Sequence, residues 1–313
     1  MAQDDRKMER FLVEEGVDGE RLDRALSIFM PGISRSQIQN IIASEGVLVN
    51  GSPCFSKKHP VREGDILEFA VPEGKELKVE PENIPLDIVF EDEDVLVVNK
   101  PKGLVVHPGA GNPDGTLVNA ALYHCNGQLS TVNGIFRSGV VHRIDKGTSG
   151  LLMMAKTDVA HSSLAQQLAD HTIVRGYIAL VYNSIKVDEG KIDAPIGRDP
   201  KMRLRQKAGL PEGRSAITNY KVMERLGKYT LVEARLETGR THQIRAHMAY
   251  IHHPLVGDPL YGPSKRFPGV SGQLLHAYLL GFVHPVTGEY MEFQNQLPEE
   301  FQKVLAKLRG TKR

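Results

Sequence analysis

Two cysteines, Cys54 and Cys125, are all that this chain of 313 residues contains. They form no CxxC pair and no disulfide framework, which suits a reducing compartment. No apolar run approaches the roughly 18 residues that a membrane span needs. The first ten residues, Met1 to Arg10, are polar and of mixed charge, unlike a signal or transit peptide. A soluble cytoplasmic protein with no membrane partner is expected. Charge of one sign is also scarce: 39 Lys and Arg stand against 38 Asp and Glu, for a net +1. No bulk basicity announces nucleic acid, so any such contact must come from local clusters. Residues 1–80 hold 11 basic and 15 acidic side chains, a net −4, which leaves +5 for residues 81–313. There is no GxGxxG after a strand and no Gly-Lys-Ser/Thr loop, so a nucleotide cofactor has no seat. The 12 histidines lack metal spacing: His242 and His247 are five apart, and His252-His253 has no flanking Glu or Cys. No cofactor and no metal are expected.

What is present suits two domains, since 41% hydrophobic residues can fill real cores at this length. Residues 1–10 are expected to be a flexible N-terminus. Leu22, Ala25, Leu26 and Phe29 fall at i, i+3, i+4, i+7, one face of a helix ended by Pro31-Gly32. Ser34 and Gln37 give a capping-box signal for a second helix with Ile38, Ile41 and Ile42 on its stripe. Gly46 stops it, and Val47-Leu48-Val49 runs as a strand into the hairpin turn Asn50-Gly51. Residues 11–72 thus form a compact unit. Arg24 and Arg35 lie off the apolar stripes, and Lys57-Lys58 follow the hairpin. These cations suit RNA phosphates; a solvated helix face is the alternative. Residues 73–85, charged and closed by Pro85, are expected to be a linker.

From residue 86 to 313 the pattern is many strands with few helices, which suggests an α+β fold with a largely antiparallel sheet. Strands are expected around residues 86–90, 95–99, 173–181, 216–222, 229–236, 279–284 and 290–293, and helices around 117–123, 160–169, 241–250 and 298–308. In the window 201–207, strand period two would put Lys201, Arg203, Arg205 and Lys207 on one face and Met202 and Leu204 on the other. That face would meet phosphate, or else guard a solvated sheet edge. The chain's most concentrated chemistry lies in His142-Arg143-Ile144-Asp145-Lys146-Gly147-Thr148-Ser149-Gly150, between the apolar runs Gly139-Val140-Val141 and Leu151 to Ala155. Both runs are expected to be buried strands. Apolar runs at both ends fix such a loop and leave its polar groups to face a substrate. A surface turn with solvated charges is the alternative.

The His142 loop resembles the signature of the RluA-type family of pseudouridine synthases. The likeness extends through Glu91-Asp92-Glu93-Asp94, Asn99-Lys100-Pro101, the loop His107 to Thr116, Thr238-Gly239-Arg240-Thr241-His242-Gln243-Ile244-Arg245-Ala246-His247, and His253-Pro254-Leu255-Val256-Gly257-Asp258. It runs from about residue 80 to 300 in the family's order. The His107 loop is most similar to that of members acting on large-subunit ribosomal RNA. Two positions depart from the pattern: Ile144 where Leu is usual, and Gly147 where an acidic residue is common. Residues 11–72, with Arg21-Leu22-Asp23, Ser34-Arg35 and Val49-Asn50-Gly51, resemble the S4 RNA-binding domain.

The resemblance implies isomerisation of uridine to pseudouridine in ribosomal RNA, free or within a pre-ribosomal particle, by a monomer. It implies Asp145 as the essential anion, acting at C1′ or at the uracil ring. A carboxylate with a reference pKa near ~3.9 is ionised at neutral pH and can attack or stabilise a cationic C1′. One carboxylate suffices, because the uracil anion is delocalised and an isomerase keeps its base. By motif position Arg245 pairs with that aspartate, with Arg240 second in line, although a helix-surface arginine fits the spacing equally. Tyr177 matches the tyrosine that packs on the target base; a core tyrosine is the plain alternative. Arg143 matches the arginine that helps to displace the flipped nucleotide, a step of a few kcal/mol. Leu275 would wall the pocket or simply belong to the core. Two other classes use some of these features. A non-catalytic RNA-binding or assembly factor would use the S4-like unit but not Asp145. A ribosylglycosidase would share Asp145 but need a general acid.

Overall fold

The computed structural model describes residues 8–13, 17–29, 35–70, 79–109, 112–202, 204–264 and 267–310. The chain divides into two compact units, Met1–Leu77 and Lys78–Arg313. In the first, strands β1 (Met8–Leu12), β2 (Val47–Val49), β3 (Ser52–Cys54) and β4 (Ile66–Ala70) form an antiparallel sheet in the order β1-β4-β2-β3. Helices α1 (Leu22–Phe29) and α2 (Arg35–Ser44) bury the expected stripes: Leu22, Ala25, Leu26, Ile38 and Ile42 share one core with Val47 and Leu67. Asn50 (φ 52°) and Gly51 (φ 76°) both take the left-handed conformation that a two-residue hairpin turn requires. Residues 8–10 are not a flexible end, because they pair with Glu68, Phe69 and Ala70 in the sheet. Ser34, the expected cap of α2, lies outside the described residues.

The second unit carries β5 (Ile88–Glu91), β6 (Val95–Lys100), α3 (Leu117–His124), β7 (Ser149–Ala155), α4 (Asp158–Ala169), β8 (Val174–Tyr182), β9 (Glu189–Asp193), β10 (Ile196–Arg198), β11 (Gln206–Ala208), β12 (Ile217–Leu226), β13 (Tyr229–Leu236), α5 (Gln243–Tyr250), β14 (Leu275–Val283), β15 (Tyr290–Gln294) and α6 (Glu299–Gly310). Nine strands make one sheet in the order β5-β6-β7-β14-β8-β13-β12-β9, with β15 also on β14. Every pairing is antiparallel except β7 with β14. The fold is α+β. The central strands are buried on both faces, which explains their unbroken apolar runs. Leu152, Met154, Tyr177 and Ala179 face a core shared with α3 and α5. Leu151, Met153, Ile178 and Leu180 face the cores closed by α4 and α6.

Four expectations need correction. Gly139-Val140-Val141 is not a strand; Val140 makes a single bridge to Met154. The strand expected over 279–284 begins at Leu275. Residues 79–85 are docked rather than free: the Asn119 side-chain amide donates to the Glu80 carbonyl, the Asn119 carbonyl accepts from the Glu82 N–H, and the Glu82 carboxylate accepts from the Gly115 N–H at 2.8 Å. The basic window is not a strand over its length, since only Gln206–Ala208 is one. Before it, Asp199 accepts from the backbone of Lys201 and from two nitrogens of Arg205, closing a turn that leaves Met202 46% and Leu204 78% exposed. The alternation of four cations against two apolar residues therefore does not form. No helix among the described residues is long and apolar enough to cross a membrane.

Candidate active site

Asp145 sits on the loop ahead of β7, and the backbone carries it there. The Thr148 N–H returns to the Asp145 carbonyl at 3.0 Å, and the Gly103 N–H donates to the Lys146 carbonyl at 2.7 Å. Gly150 (φ 115°) lets β7 run parallel to β14; a Cβ there would lie 2.2 Å from the Ala277 carbonyl oxygen. His142, the loop's first residue, has its pKa brought down to about 3 by burial, with Arg175 adding to the effect. The ring is therefore neutral, and its Nε2 accepts from the Met153 N–H at 3.1 Å.

Asp145 opens onto a cavity of about 510 Å³. Arg245, on α5, donates from Nη1 to Asp145 Oδ2 at 2.9 Å. Its Nε and Nη2 donate to the two oxygens of buried Asp258 at 2.7 and 2.9 Å, and its guanidinium lies over the Tyr261 ring. Burial works against the Arg245 charge, but the Asp258 and Asp145 carboxylates outweigh it and raise its pKa. Arg240, second in line for that pairing, lines the cavity but donates to the Ser215 carbonyl. Tyr177 stands on β8 between Ala277 of β14 and Ala234 of β13, at the cavity wall. Burial pushes its phenol above the usual range, with Arg175 opposing and Asp145 adding. Leu275 is buried on the same wall. Arg143 is exposed at the cavity, 3.3 Å from His107.

The cavity thus gathers Arg143, Asp145, Tyr177, Arg240, Arg245 and Leu275 from loop, strand and helix. The other expected RNA contacts lie elsewhere. Arg205 is held by Asp199 and lies over the Tyr261 ring, whose hydroxyl bonds the backbone of Gln206. Lys201 and Lys207 are exposed, and Arg203 lies outside the described residues. In the first unit Arg24 pairs with Glu20, Lys57 donates to Gln39, and Lys58 is exposed. Arg35 is tied to buried Asp23, which also holds Arg21 and Gln39.

Three participants carried no assigned role in the sequence. Asp258 was visible only as a motif letter, thirteen residues from the arginine it holds. Lys100 ends an apolar strand and is fully buried, its Nζ donating to the Pro101 and Leu104 carbonyls at 2.9 and 2.8 Å. Burial brings its pKa down to about 7, with nearby Asp145 opposing. His242 approaches Asp145 to 3.9 Å and bonds the Tyr261 hydroxyl. One carboxylate among several guanidinium groups suits an anionic ligand better than a cation. Elsewhere Glu91, His124 and Cys125 gather, but Lys156 and His124 occupy the Glu91 oxygens and burial pushes the Cys125 thiol up.

Residues 94–250 match the family model described as RNA pseudouridylate synthase, and residues 20–67 match the S4 domain model. The chain is 50% identical over 290 residues to the "uncharacterized RNA pseudouridine synthase YlyB" of Bacillus subtilis (strain 168), covering 93% of this chain and 94% of that one. It is 45% identical to "ribosomal large subunit pseudouridine synthase D" of Zymomonas mobilis, covering 96% and 97%, and 42% identical to the Escherichia coli (strain K12) protein of that name, covering 95% and 93%. The structure of human RNA pseudouridylate synthase domain containing 1 has the same fold, with TM-score 0.54 and 24% identity over 73% of this chain and 96% of that one. The chain, with its S4 domain, belongs to the RNA pseudouridylate synthase family.

Proposed function

We propose that this enzyme converts specific uridines of large-subunit ribosomal RNA to pseudouridine, and that Asp145 is its essential anion. The observation that carries the reading is the 2.9 Å pair between Asp145 and Arg245 at the wall of a cavity that also holds Tyr177. Its volume of about 510 Å³ falls within the range of small-ligand sites, roughly 300–1,000 Å³. Relatives 42–45% identical to this chain that bear the name ribosomal large subunit pseudouridine synthase D support the choice of RNA.

In this reading Arg143 helps to displace the target nucleotide, whose extrusion costs a few kcal/mol. The base then packs against Tyr177 and Leu275. Asp145, aimed by Arg245, acts at C1′ or at the ring while the N1–C1′ bond breaks. The base turns, C5 bonds to C1′, and the C5 proton leaves as N1 gains one. The first unit anchors the RNA through Arg24, Arg35, Lys57 and Lys58, and the second unit, with residues 79–85 docked on it, is the catalytic domain. Lys201, Arg203, Arg205, Lys207 and Arg240 add phosphate contacts. The protein acts as a cytoplasmic monomer.

The test is to map pseudouridines in large-subunit RNA from cells with and without the protein, and from cells carrying Asp145→Asn. Sites should vanish in the last two while the variant still folds and binds RNA. Turnover by Asp145→Asn refutes the role of Asp145. Release of free uracil in vitro identifies a ribosylglycosidase instead.

A further inference from the structure

Among the described residues, the cavity holds one buried cation with no acid of its own. Arg175, on β8, is 7% exposed and lines the cavity wall. Among the described residues its one hydrogen bond runs from Nη2 to the Glu237 carbonyl at 3.2 Å, and its Nε has no partner. Among the described residues no carboxylate lies within ion-pair distance of it. Arg245, on the same cavity, has two. Gly239 keeps the space beside it open, since a Cβ there would come within 2.6 Å of Nη1.

A guanidinium taken out of water without an anion is costly. The free enzyme carries that cost at the wall of its own active site. Burial depresses the Arg175 pKa, with Tyr177 opposing and Arg240 adding to the depression. Arg175 precedes Tyr177 by two residues and so shares its strand face, about 6.6 Å away along the strand. A uracil carbonyl is neutral and would leave the charge unbalanced. The anion that an RNA strand brings is a phosphodiester, and arginine's planar fork matches its two free oxygens.

We propose that Arg175 is a substrate-binding residue that takes a phosphodiester of the RNA strand at, or next to, the target nucleotide. The inference rests on the reading of this cavity as the uridine site. It adds a buried phosphate contact beside the base, distinct from the exposed cations that track the backbone.

The test uses the full-length protein and an RNA fragment carrying a mapped target uridine. Single methylphosphonates, which remove one negative charge, are placed at each phosphate from two before to two after that uridine. For the wild-type protein one position should weaken binding on the order of tenfold, the scale of one charge-assisted hydrogen-bonded contact. Arg175→Met should weaken binding similarly, lower the salt slope by about 1, and lose its response at that position alone. Gly239→Ala, on exposed backbone, should displace the guanidinium and give the same pattern without emptying the core, so it serves if Arg175→Met misfolds. Unchanged affinity in both variants, or methylphosphonate penalties equal to wild type at every position, overturns the inference. Pseudouridine formation by the wild type, measured in the same samples, separates that result from failure of the functional reading.

Discussion

Asp258 grips Nε and Nη2 of Arg245 at 2.7 and 2.9 Å, which leaves Nη1 alone to meet Asp145. The carboxylate of Asp258 is itself fixed by the N–H groups of Leu260 and Tyr261. Asp258 thus reaches Asp145 only at one remove, by fixing the arginine that meets it. Asp258→Ala leaves a buried guanidinium with half its partners and should destabilise the protein by about 3–5 kcal/mol. Misplacement of a catalytic group by an ångström can lower turnover on the order of 10²-fold. Denaturation midpoints and single-turnover rates on bound RNA check both effects. A destabilised variant with wild-type turnover would rule out the positioning role.

Lysine has a single point charge, so Arg245→Lys cannot hold Asp258 with two donors and Asp145 with a third. It should bind RNA normally and still lose most turnover. A KM that rises while kcat holds would instead mark Arg245 as an RNA contact.

Gly150 and Gly147 flank the same loop but should respond differently to a methyl group. At Gly150 the φ of 115° and the Ala277 backbone 2.2 Å away leave no room. At Gly147 the obstacle is the end of the Gln273 side chain, 2.6 Å away, which can move. Gly150→Ala should unfold or severely destabilise the catalytic unit, whereas Gly147→Ala should change stability by about 1 kcal/mol or less. Circular dichroism and thermal melts of the two variants decide it.

Lys100 gives a pH signature. Its folded pKa, about 7, lies below the ordinary lysine value of 10.5. Between those values the unfolded chain holds the extra proton, so raising the pH favours the folded state. Relative to Lys100→Met, the wild type should gain stability as pH rises from about 7 towards 10, with no further difference developing below 7. Denaturant midpoints for both proteins across that range supply the measurement. Parallel curves would show that the ammonium is not held at a depressed pKa.

The loop around Asp145 was legible because its polar cluster stands between apolar runs, and the helix stripes of α1 and α2 because their period is local. What stayed hidden depends on partners distant in sequence. The polar stretch Met8–Arg10 is a strand only because Glu68–Ala70 lies beside it. Lys100 reads as a surface lysine until the Pro101 and Leu104 carbonyls are seen around its Nζ. The basic window failed for a local reason. Asp199 bonds the backbone two residues on, a competing turn that side-chain alternation does not register. Arg175 shares the strand face of Tyr177 by simple alternation, but its lack of an acid among the described residues appears only when every neighbour is placed.

The RNA-binding unit has its own buried charge. Asp23 accepts from Arg21, Arg35 and Gln39 and so ties α1 to α2. Burial alone would raise its pKa, but Arg21, Gln39 and Arg35 together outweigh burial and lower it. The stability it contributes is therefore present above the ordinary carboxylate value of 3.8 and is lost as pH falls through the depressed one. Asp23→Ala should release Arg35, whose side chain is half exposed, and destabilise this unit by about 1–3 kcal/mol, the scale of lost charge-assisted hydrogen bonds, while the catalytic unit stays folded. Hydrogen exchange read by mass spectrometry should show faster exchange across Leu22–Phe29 and Arg35–Ser44, with β7 and β8 unchanged. RNA affinity should fall while turnover of RNA already bound persists. Unchanged exchange in both helices would mean that the pairing of Asp23 with the two arginines does not hold the unit together.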